Sequence, residues 1–123
     1  MTNNTKQLGD WGENKAVEFL RGKKYKIIEQ NWQNKWGEID IIAKKKGVLI
    51  FVEVKTIKKQ LNFSPFDQIN QKKQKQLMKM AQIYLSSNKL SLETPHQIDI
   101  IAIERTSSET NITHLKNALE DIF

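Results

Sequence analysis

The stretch from Gly37 to Lys55, GEIDIIAKKKGVLIFVEVK, constrains the fold of this chain more than any other. Two apolar, strand-like runs, 38–43 and 48–55, flank a Lys-Lys-Lys-Gly turn. Gly47 can take the positive φ that a tight hairpin needs. The stretch therefore predicts a β-hairpin that lies in a sheet with both faces largely apolar.

The open end of this hairpin carries charged side chains. Successive side chains of a strand point to opposite faces, so Glu53 and Lys55 share one face of the second strand. A turn centred on Lys46 and Gly47 places Asp40, in the first strand, opposite or nearly opposite Glu53. Two acids and a lysine are therefore predicted to converge at one end of the hairpin.

Two neighbouring carboxylates at the end of so apolar a hairpin are costly unless they are paired or bind a cation. Oxygen ligands suit Mg²⁺, or Mn²⁺, because Mg²⁺ is typically held by one or two carboxylates and several waters. Such a metal site beside a lysine is typical of phosphodiester hydrolysis. The alternative is that Glu53 and Lys55 are solvated rim residues and that Asp40 forms a salt bridge with Lys55.

The charge of the chain indicates a polyanionic partner. It has 20 lysines and arginines against 14 acids, a net charge of +6, and much of the excess falls in lysine clusters. Such patches suit DNA or RNA, although a generic lysine-rich surface is the alternative. Lys73, at the inner edge of a predicted helix, meets phosphate or simply snorkels to solvent. The candidate nucleic-acid-binding residues are Lys44, Lys45, Lys46, Lys72, Lys73 and Lys75.

Other chemistries are excluded by the composition. The chain has no cysteine, so disulfides and thiolate metal sites are absent. His96 and His114 are its only histidines, and neither stands in a metal-ligand pattern; we expect both to be solvated or structural. No Walker A loop or catalytic-serine motif is present. Without an apolar N-terminal region or a run of membrane-spanning length, we expect a cytoplasmic protein with no membrane contact.

Apolar periodicity predicts one α/β domain that spans residues 1–123. The predicted core order is α-β-β-β-α-β, which implies a mixed sheet flanked by helices. The elements are a helix at 8–21, strands at 25–31, 38–43 and 48–55, a helix at 66–85, and a strand at 98–103. A short strand at 111–114 and a capping helix at 115–123 are predicted to follow.

Glu13 occupies an unusual place for an acid, because helical spacing puts it on or beside the apolar face of the first helix. The alternative is a first-turn glutamate that complements the helix dipole. On the same helix, Gly9, Gly12 and Ala16 form a smooth stripe. We expect this stripe to let the helix approach another backbone closely.

Trp32 and Trp36 precede the hairpin in an amide-rich segment. They either stack on nucleic-acid bases or pack beneath the hairpin. We expect packing, which is the usual fate of tryptophan.

Asp40 followed by Glu53-Val54-Lys55 resembles the PD-(D/E)XK signature of restriction-endonuclease-like nucleases, with Ile39 where that name has proline. A wider set of residues is similar to the YraN-like family of small bacterial proteins, whose motif layout resembles archaeal Holliday-junction resolvases. The resemblance covers nearly the whole chain. It rests on 9–13, Ala16, Asn31, 37–43, 51–55, Lys73, 81–85 and Ile98-Asp99 and extends through Asn117-Ala118.

This resemblance implies a restriction-endonuclease-like fold and a metal-dependent DNA endonuclease that hydrolyses phosphodiester bonds, with branched DNA as one substrate class. It implies that Asp40 and Glu53 bind Mg²⁺ or Mn²⁺ and that Lys55 is the catalytic lysine. Glu13 resembles the extra acid of the resolvase-type site. An enzyme that cuts junctions by two symmetric nicks is expected to be a homodimer.

Two positions depart from the pattern. Ile57 and Gln97 stand where family members often carry arginine. If those arginines hold phosphate, this chain binds DNA more weakly or does not cut it. A catalytically silent nucleic-acid-binding module with the same fold is therefore the alternative function, and a protein-interaction subunit without a nucleic-acid role is a third.

Overall fold

The computed structural model describes residues 4–58 and 69–119. Two helices and five strands follow one another in this part of the chain, so the predicted order α-β-β-β-α-β and the short strand predicted at 111–114 are confirmed. The elements are α1 (Asn4–Gly22), β1 (Lys26–Asn34), β2 (Gly37–Lys45), β3 (Val48–Lys58), α2 (Gln71–Ser87), β4 (His96–Arg105) and β5 (Thr110–Leu115). Neither helix is long and apolar enough to cross a membrane.

The five strands form one mixed sheet in the order β1-β2-β3-β4-β5. The β3–β4 pair is parallel and the other three pairs are antiparallel, so the predicted mixed sheet is confirmed. Neighbouring residues of β2 and β3 alternate between two apolar clusters, because successive strand side chains face opposite ways. Ile41 and Val52 pack with α1, and Ile42 and Phe51 pack with α2. The helices therefore cover opposite faces of the sheet.

Three predicted helix boundaries are wrong. The first helix begins at Asn4 and not at residue 8. For the second helix, predicted from residue 66, residues 66–68 lie outside the described residues and α2 begins only after Asn70. The Asn70 side chain accepts a hydrogen bond from the Lys73 amide, and an asparagine in this role typically starts a helix. Of the predicted capping helix, residues 120–123 lie outside the described part, and residues 116–119 form a turn. The Ala118 amide donates to the carbonyl of Ile98 in β4, which holds this turn against the sheet.

The β2–β3 hairpin has the predicted register. Its pairs run from Lys45 opposite Val48 to Ile41 opposite Val52. One further step along the same register brings Asp40 opposite Glu53. Regular pairing stops at this step, and the amide of Val54 donates instead to Asp40 Oδ2 at 2.8 Å. A carboxylate thus closes the hairpin where a backbone carbonyl would otherwise continue the ladder.

α1 crosses β3 at a glycine. A Cβ atom on Gly12 would lie only 1.8 Å from Thr56 Oγ1, so a hydrogen atom at this position permits the close approach. The predicted smooth stripe is confirmed at this residue. It is wrong at Gly9, which has no heavy atom within 4 Å of the corresponding position. The Gly12–Thr56 crossing brings Glu13 to the charged end of the hairpin.

The two glycines of α1 offer a matched test of this crossing. We expect Gly12→Ala to lower the free energy of unfolding by roughly 1–3 kcal/mol, because the added methyl group overpacks the interface. Gly9→Ala should raise it by about 0.5–1 kcal/mol, since alanine is the better helix former. Urea unfolding followed by circular dichroism measures both. Equal effects of the two substitutions would contradict the crossing. Adding Thr56→Ala should restore stability to the Gly12→Ala variant but not change that of the Gly9→Ala variant.

Candidate active site

Asp40 in β2 and Glu53 in β3 form a buried acid pair at the open end of the hairpin. Glu53 is 6% exposed and Asp40 is half-buried. The two carboxyl groups lie close enough for the charge of Asp40 to act on Glu53, and Asp40 accepts the Val54 amide. The alternative in which Glu53 is a solvated rim residue is therefore wrong. The hairpin register brings the two acids together as predicted.

The acid pair is electrostatically unfavourable when both groups are ionised. Burial, and then the charge of Asp40, raises the pKa of Glu53 from its ordinary 4.5 to about 7. Burial also raises the pKa of Asp40, against the opposing effect of the Val54 amide. Glu53 thus contributes stability that is full below about pH 4.5 and is lost as the pH rises through about 7. A bound cation would remove this cost.

Glu13 is the third acid of the group, contributed by α1. Burial, and then the charge of Asp40, raises the pKa of Glu13 to about 7, while a hydrogen bond with the Asn31 side chain opposes the shift. α1 begins at Asn4 and has no acid in its first turn, so Glu13 lies more than two turns inside the helix. The alternative interpretation as a first-turn acid is therefore wrong.

Lys73 of α2 reaches the acid pair. Its Nζ lies 3.4 Å from Glu53 Oε2, and this contact lowers the pKa of Glu53 against the effect of burial. Lys55 is half-buried on β3, and its charge acts on Glu53 in the same direction. Among the described residues, no ion pair joins Asp40 to Lys55. The pairing that we considered between those two residues is replaced by Lys73 with Glu53.

The other candidate lysines divide into two groups. Lys72 and Lys75 are exposed on α2, on the helix that carries Lys73. Lys44, Lys45 and Lys46 lie at the turn of the hairpin, about 17 Å along β2 from Asp40. Lys45 is only half-exposed there, because its Nζ donates to the carbonyl of Lys23 and lies 4.5 Å from the centre of the Tyr25 ring. Of these candidate lysines, the structure thus places Lys73 beside the acids and the turn lysines away from them.

The acid pair has the chemistry of a Mg²⁺ site. Two carboxylates that repel each other in buried surroundings are a donor set that this cation accepts, because it retains several waters of its own. Within residues 4–58 and 69–119, no three aspartate, glutamate, histidine or cysteine side chains cluster closely enough to share one ion. Metal binding by Asp40, Glu53 and Glu13 stays a prediction.

Comparison with known proteins places the chain in a family. The model of the Uncharacterised protein family UPF0102 matches residues 12–103, a range that includes every acid and lysine described above. The chain belongs to the UPF0102 family. A UPF0102 protein of Roseiflexus castenholzii is 36% identical over 123 residues, covering 98% of this chain and 99% of its own length. One from Flavobacterium psychrophilum is 43% identical over 112 residues, with coverages of 90% and 92%.

A UPF0102 protein of Clostridioides difficile is 40% identical over 116 residues, which cover 94% of this chain and 98% of the relative. These relatives therefore match this chain over nearly their whole length. The resemblance to the YraN-like family is confirmed at the level of the UPF0102 family.

Asn31 is a site residue that sequence reasoning did not assign. It interrupts β1 with a left-handed backbone, at φ +54°, and its side chain acts on Glu13, lowering the pKa of that carboxyl against the effect of burial. Asparagine adopts this conformation more readily than most residues. An asparagine within a run of strand residues was the available signal, but nothing in the local sequence identifies Glu13 as its partner.

A second buried polar cluster of this UPF0102 member lies on the α1 side of the sheet, away from Glu53. Asp99 is 0% exposed, and its Oδ2 lies 2.7 Å from His114 Nε2. Its Oδ1 accepts from the Gln97 side chain and the Asn117 amide, each at 2.9 Å. Edge-on contact with Phe19 further encloses His114. His114 is therefore structural, and Gln97 is directed inward to a carboxylate.

Proposed function

We propose that this UPF0102 protein is a metal-dependent nuclease that hydrolyses phosphodiester bonds of DNA. The observation that carries the proposal is the buried Asp40–Glu53 pair, with Lys73 in contact and Lys55 on the same strand. Burial of two acids in an apolar hairpin opposes folding at neutral pH, and a bound catalytic cation would offset this cost by neutralising their charge. The mixed sheet between two helices, and the resemblance to PD-(D/E)XK nucleases, support the same activity.

Each side chain has a distinct role in this proposal. Asp40 and Glu53 would hold Mg²⁺ or Mn²⁺, with Glu13 as an additional acid beside them. When bound, the cation polarises the phosphoryl oxygen and lowers the pKa of a bound water. Lys55 stabilises the negative charge that develops on the phosphate. Lys73 lowers the pKa of Glu53 against the effect of burial, so that a larger fraction of Glu53 is ionised and able to bind the cation near neutral pH.

The surroundings favour DNA as the substrate. Lys72 and Lys75 add exposed positive charge to the helix that carries Lys73. Backbone phosphates are the groups that such lysines contact, without regard to base sequence. Branched DNA is the substrate class that the resolvase resemblance favours, and two symmetric nicks in a junction would require a homodimer.

A catalytically silent DNA-binding module is the second candidate. Its supporting observation is Gln97, which donates to buried Asp99 and so offers no cation at a position where arginine is expected. Ile57 likewise supplies no charge beside Lys55. This module would keep the fold and the salt-dependent affinity for DNA without cleavage.

Calorimetric titration with Mg²⁺ and Mn²⁺ tests the nuclease proposal. We expect one site in the wild type and none in the Asp40→Ala, Glu53→Ala double variant. Because Glu53 must lose its proton to bind, the affinity should rise as the pH increases through about 7. Glu93→Ala, at an exposed glutamate of the α2–β4 loop, is the matched control and should bind like the wild type.

The same samples are then assayed on branched, single-stranded and duplex DNA. Cleavage that needs the metal and is absent from the double variant would support the nuclease. A wild type that binds no metal would overturn the proposal. If that protein still binds DNA with a steep salt dependence, the silent module becomes the better account.

A further inference from the structure

Trp36 is the most exposed tryptophan side chain of the described residues. It is 50% exposed, in the turn between β1 and β2, whereas Trp32 packs against the core on the α2 face. The expectation that both tryptophans pack beneath the hairpin is therefore wrong for Trp36. Its indole borders a surface groove of about 480 Å³ that continues along α2 to the exposed Leu92. Exposed apolar surface that is bordered by polar residues is typical of an interaction site.

The backbone of Trp36 is held on both sides. Its amide donates to Asn34 Oδ1 at 2.8 Å, and its carbonyl accepts from the side-chain amide of Gln76 at 2.9 Å. The next residue must be small, because a Cβ atom on Gly37 would lie 2.5 Å from Gln76 Nε2. The turn is thus fixed to α2 with the indole directed outward. This is a preorganised position for the ring.

Two cations lie close to the ring. Lys35 Nζ is 4.7 Å from its centre and Lys79 Nζ is 5.7 Å away, and both lysines are exposed. None of the described residues that line the groove is acidic. A π-surface flanked by lysines suits a nucleotide, because the base stacks while the ammonium groups meet phosphates. A base that covers the ring displaces an exposed lysine toward the adjacent phosphate.

α2 connects this ring to the acid pair. Lys73 contacts Glu53, Gln76 holds Trp36, and Lys79 lies over the ring, at intervals of three residues along one helix. Trp36 and Asp40 are four residues apart, or about 13 Å along an extended chain. That span corresponds to roughly four stacked nucleotides of one strand.

We propose that Trp36, with Lys35 and Lys79, is a stacking site for an unpaired base. Resting on the proposed function, this inference specifies the substrate as DNA with a single-stranded segment next to the cleaved bond. Bases within a duplex are stacked on their neighbours and cannot cover the indole. A peptide ligand would instead use the apolar groove as far as Leu92, and the test below distinguishes the two.

The test measures binding of a fluorescently labelled oligothymidylate by anisotropy, with EDTA present so that no cleavage occurs. We expect Trp36→Ala to weaken binding by about fivefold to a hundredfold and Trp36→Phe to restore most of it. The slope of affinity against salt should be unchanged in Trp36→Ala and shallower in Lys79→Ala. An abasic strand of equal length, which keeps the phosphates alone, should bind wild type and Trp36→Ala equally.

Leu92→Ala is the matched control, since it removes an exposed apolar side chain from the same groove. Unchanged affinity in this variant supports stacking, and a loss as large as that of Trp36→Ala would overturn it in favour of an extended apolar contact. Equal wild-type affinity for oligothymidylate and the abasic strand would also overturn it, as would no affinity for either.

Failure of this inference is distinguishable from failure of the nuclease proposal. Trp36→Ala leaves the acid pair intact, so its calorimetric Mn²⁺ affinity should equal that of the wild type. If the protein binds metal and cleaves DNA, but Trp36→Ala leaves the affinity for oligothymidylate unchanged, only the stacking site is overturned. A protein that stacks bases through Trp36 but binds no metal overturns the nuclease alone.

Discussion

Lys55→Ala is expected to lower the rate of DNA cleavage at saturating Mn²⁺ by roughly 10²- to 10³-fold, as is typical when one donor to developing charge is removed. The effect should fall on the rate and not on metal binding, because Asp40 and Glu53 remain. Single-turnover cleavage and calorimetric titration of the same variant measure the two quantities separately. A fall in metal affinity as large as the fall in rate would contradict this role.

Lys73→Met is the matched control for Lys55, because it removes the other lysine that acts on Glu53. Loss of the 3.4 Å contact raises the pKa of Glu53 further above about 7, so the acid limb of the pH–rate profile should move to higher pH. The charge of Asp40 also raises the pKa of Glu53, whereas the charge of Lys55 lowers it. At alkaline pH the Lys73→Met rate should approach that of wild type. A loss that is equal at every pH would instead make Lys73 a catalytic residue.

Asp99→Ala is expected to lower the free energy of unfolding by about 3–5 kcal/mol, the usual effect of removing one member of a buried polar pair. The substitution removes the carboxylate that contacts the His114 ring and accepts from the Gln97 side chain. A buried group that loses its hydrogen-bond partner is costly. Urea denaturation monitored by circular dichroism, with cleavage measured well below the transition, separates this structural effect from any effect on the site.

The control for Asp99 is Glu104→Ala, which removes a partly exposed acid from the same strand and should cost less than 1 kcal/mol. His114→Ala combined with Asp99→Ala should cost much less than the sum of the two single variants, because they share one hydrogen bond. Additive losses would show that Asp99 stabilises the fold through something other than His114.

The acid pair was predictable because both acids lie in one hairpin. Two residues in adjacent strands meet only if the register is right, and here the short turn at Gly47 sets the register. Period-two alternation then assigns Glu53 to its face without further information. The order of the elements followed from apolar periodicity in the same way, and the structure confirms it.

Contacts between elements that are distant in sequence were harder to predict. Lys73 had the right spacing to reach inward, but only the packing of α2 on the sheet decides that it meets Glu53. Asn31 and Glu13 are joined across β1 and α1 through a left-handed residue that no periodic pattern predicts. The predicted capping helix is wrong at residues 116–119, because the apolar spacing there is helical but the backbone amides bond to β4 and Asp99.

The crossing of α1 over β3 has a mechanical consequence for the proposed site. Gly12 packs directly against Thr56, and their neighbours in the chain are Glu13 and Lys55. A shift of α1 against β3 at this contact would move Glu13 relative to Lys55. In the proposed nuclease, this tight contact would therefore hold the acid of the helix and the lysine of the strand at a fixed spacing before substrate binds.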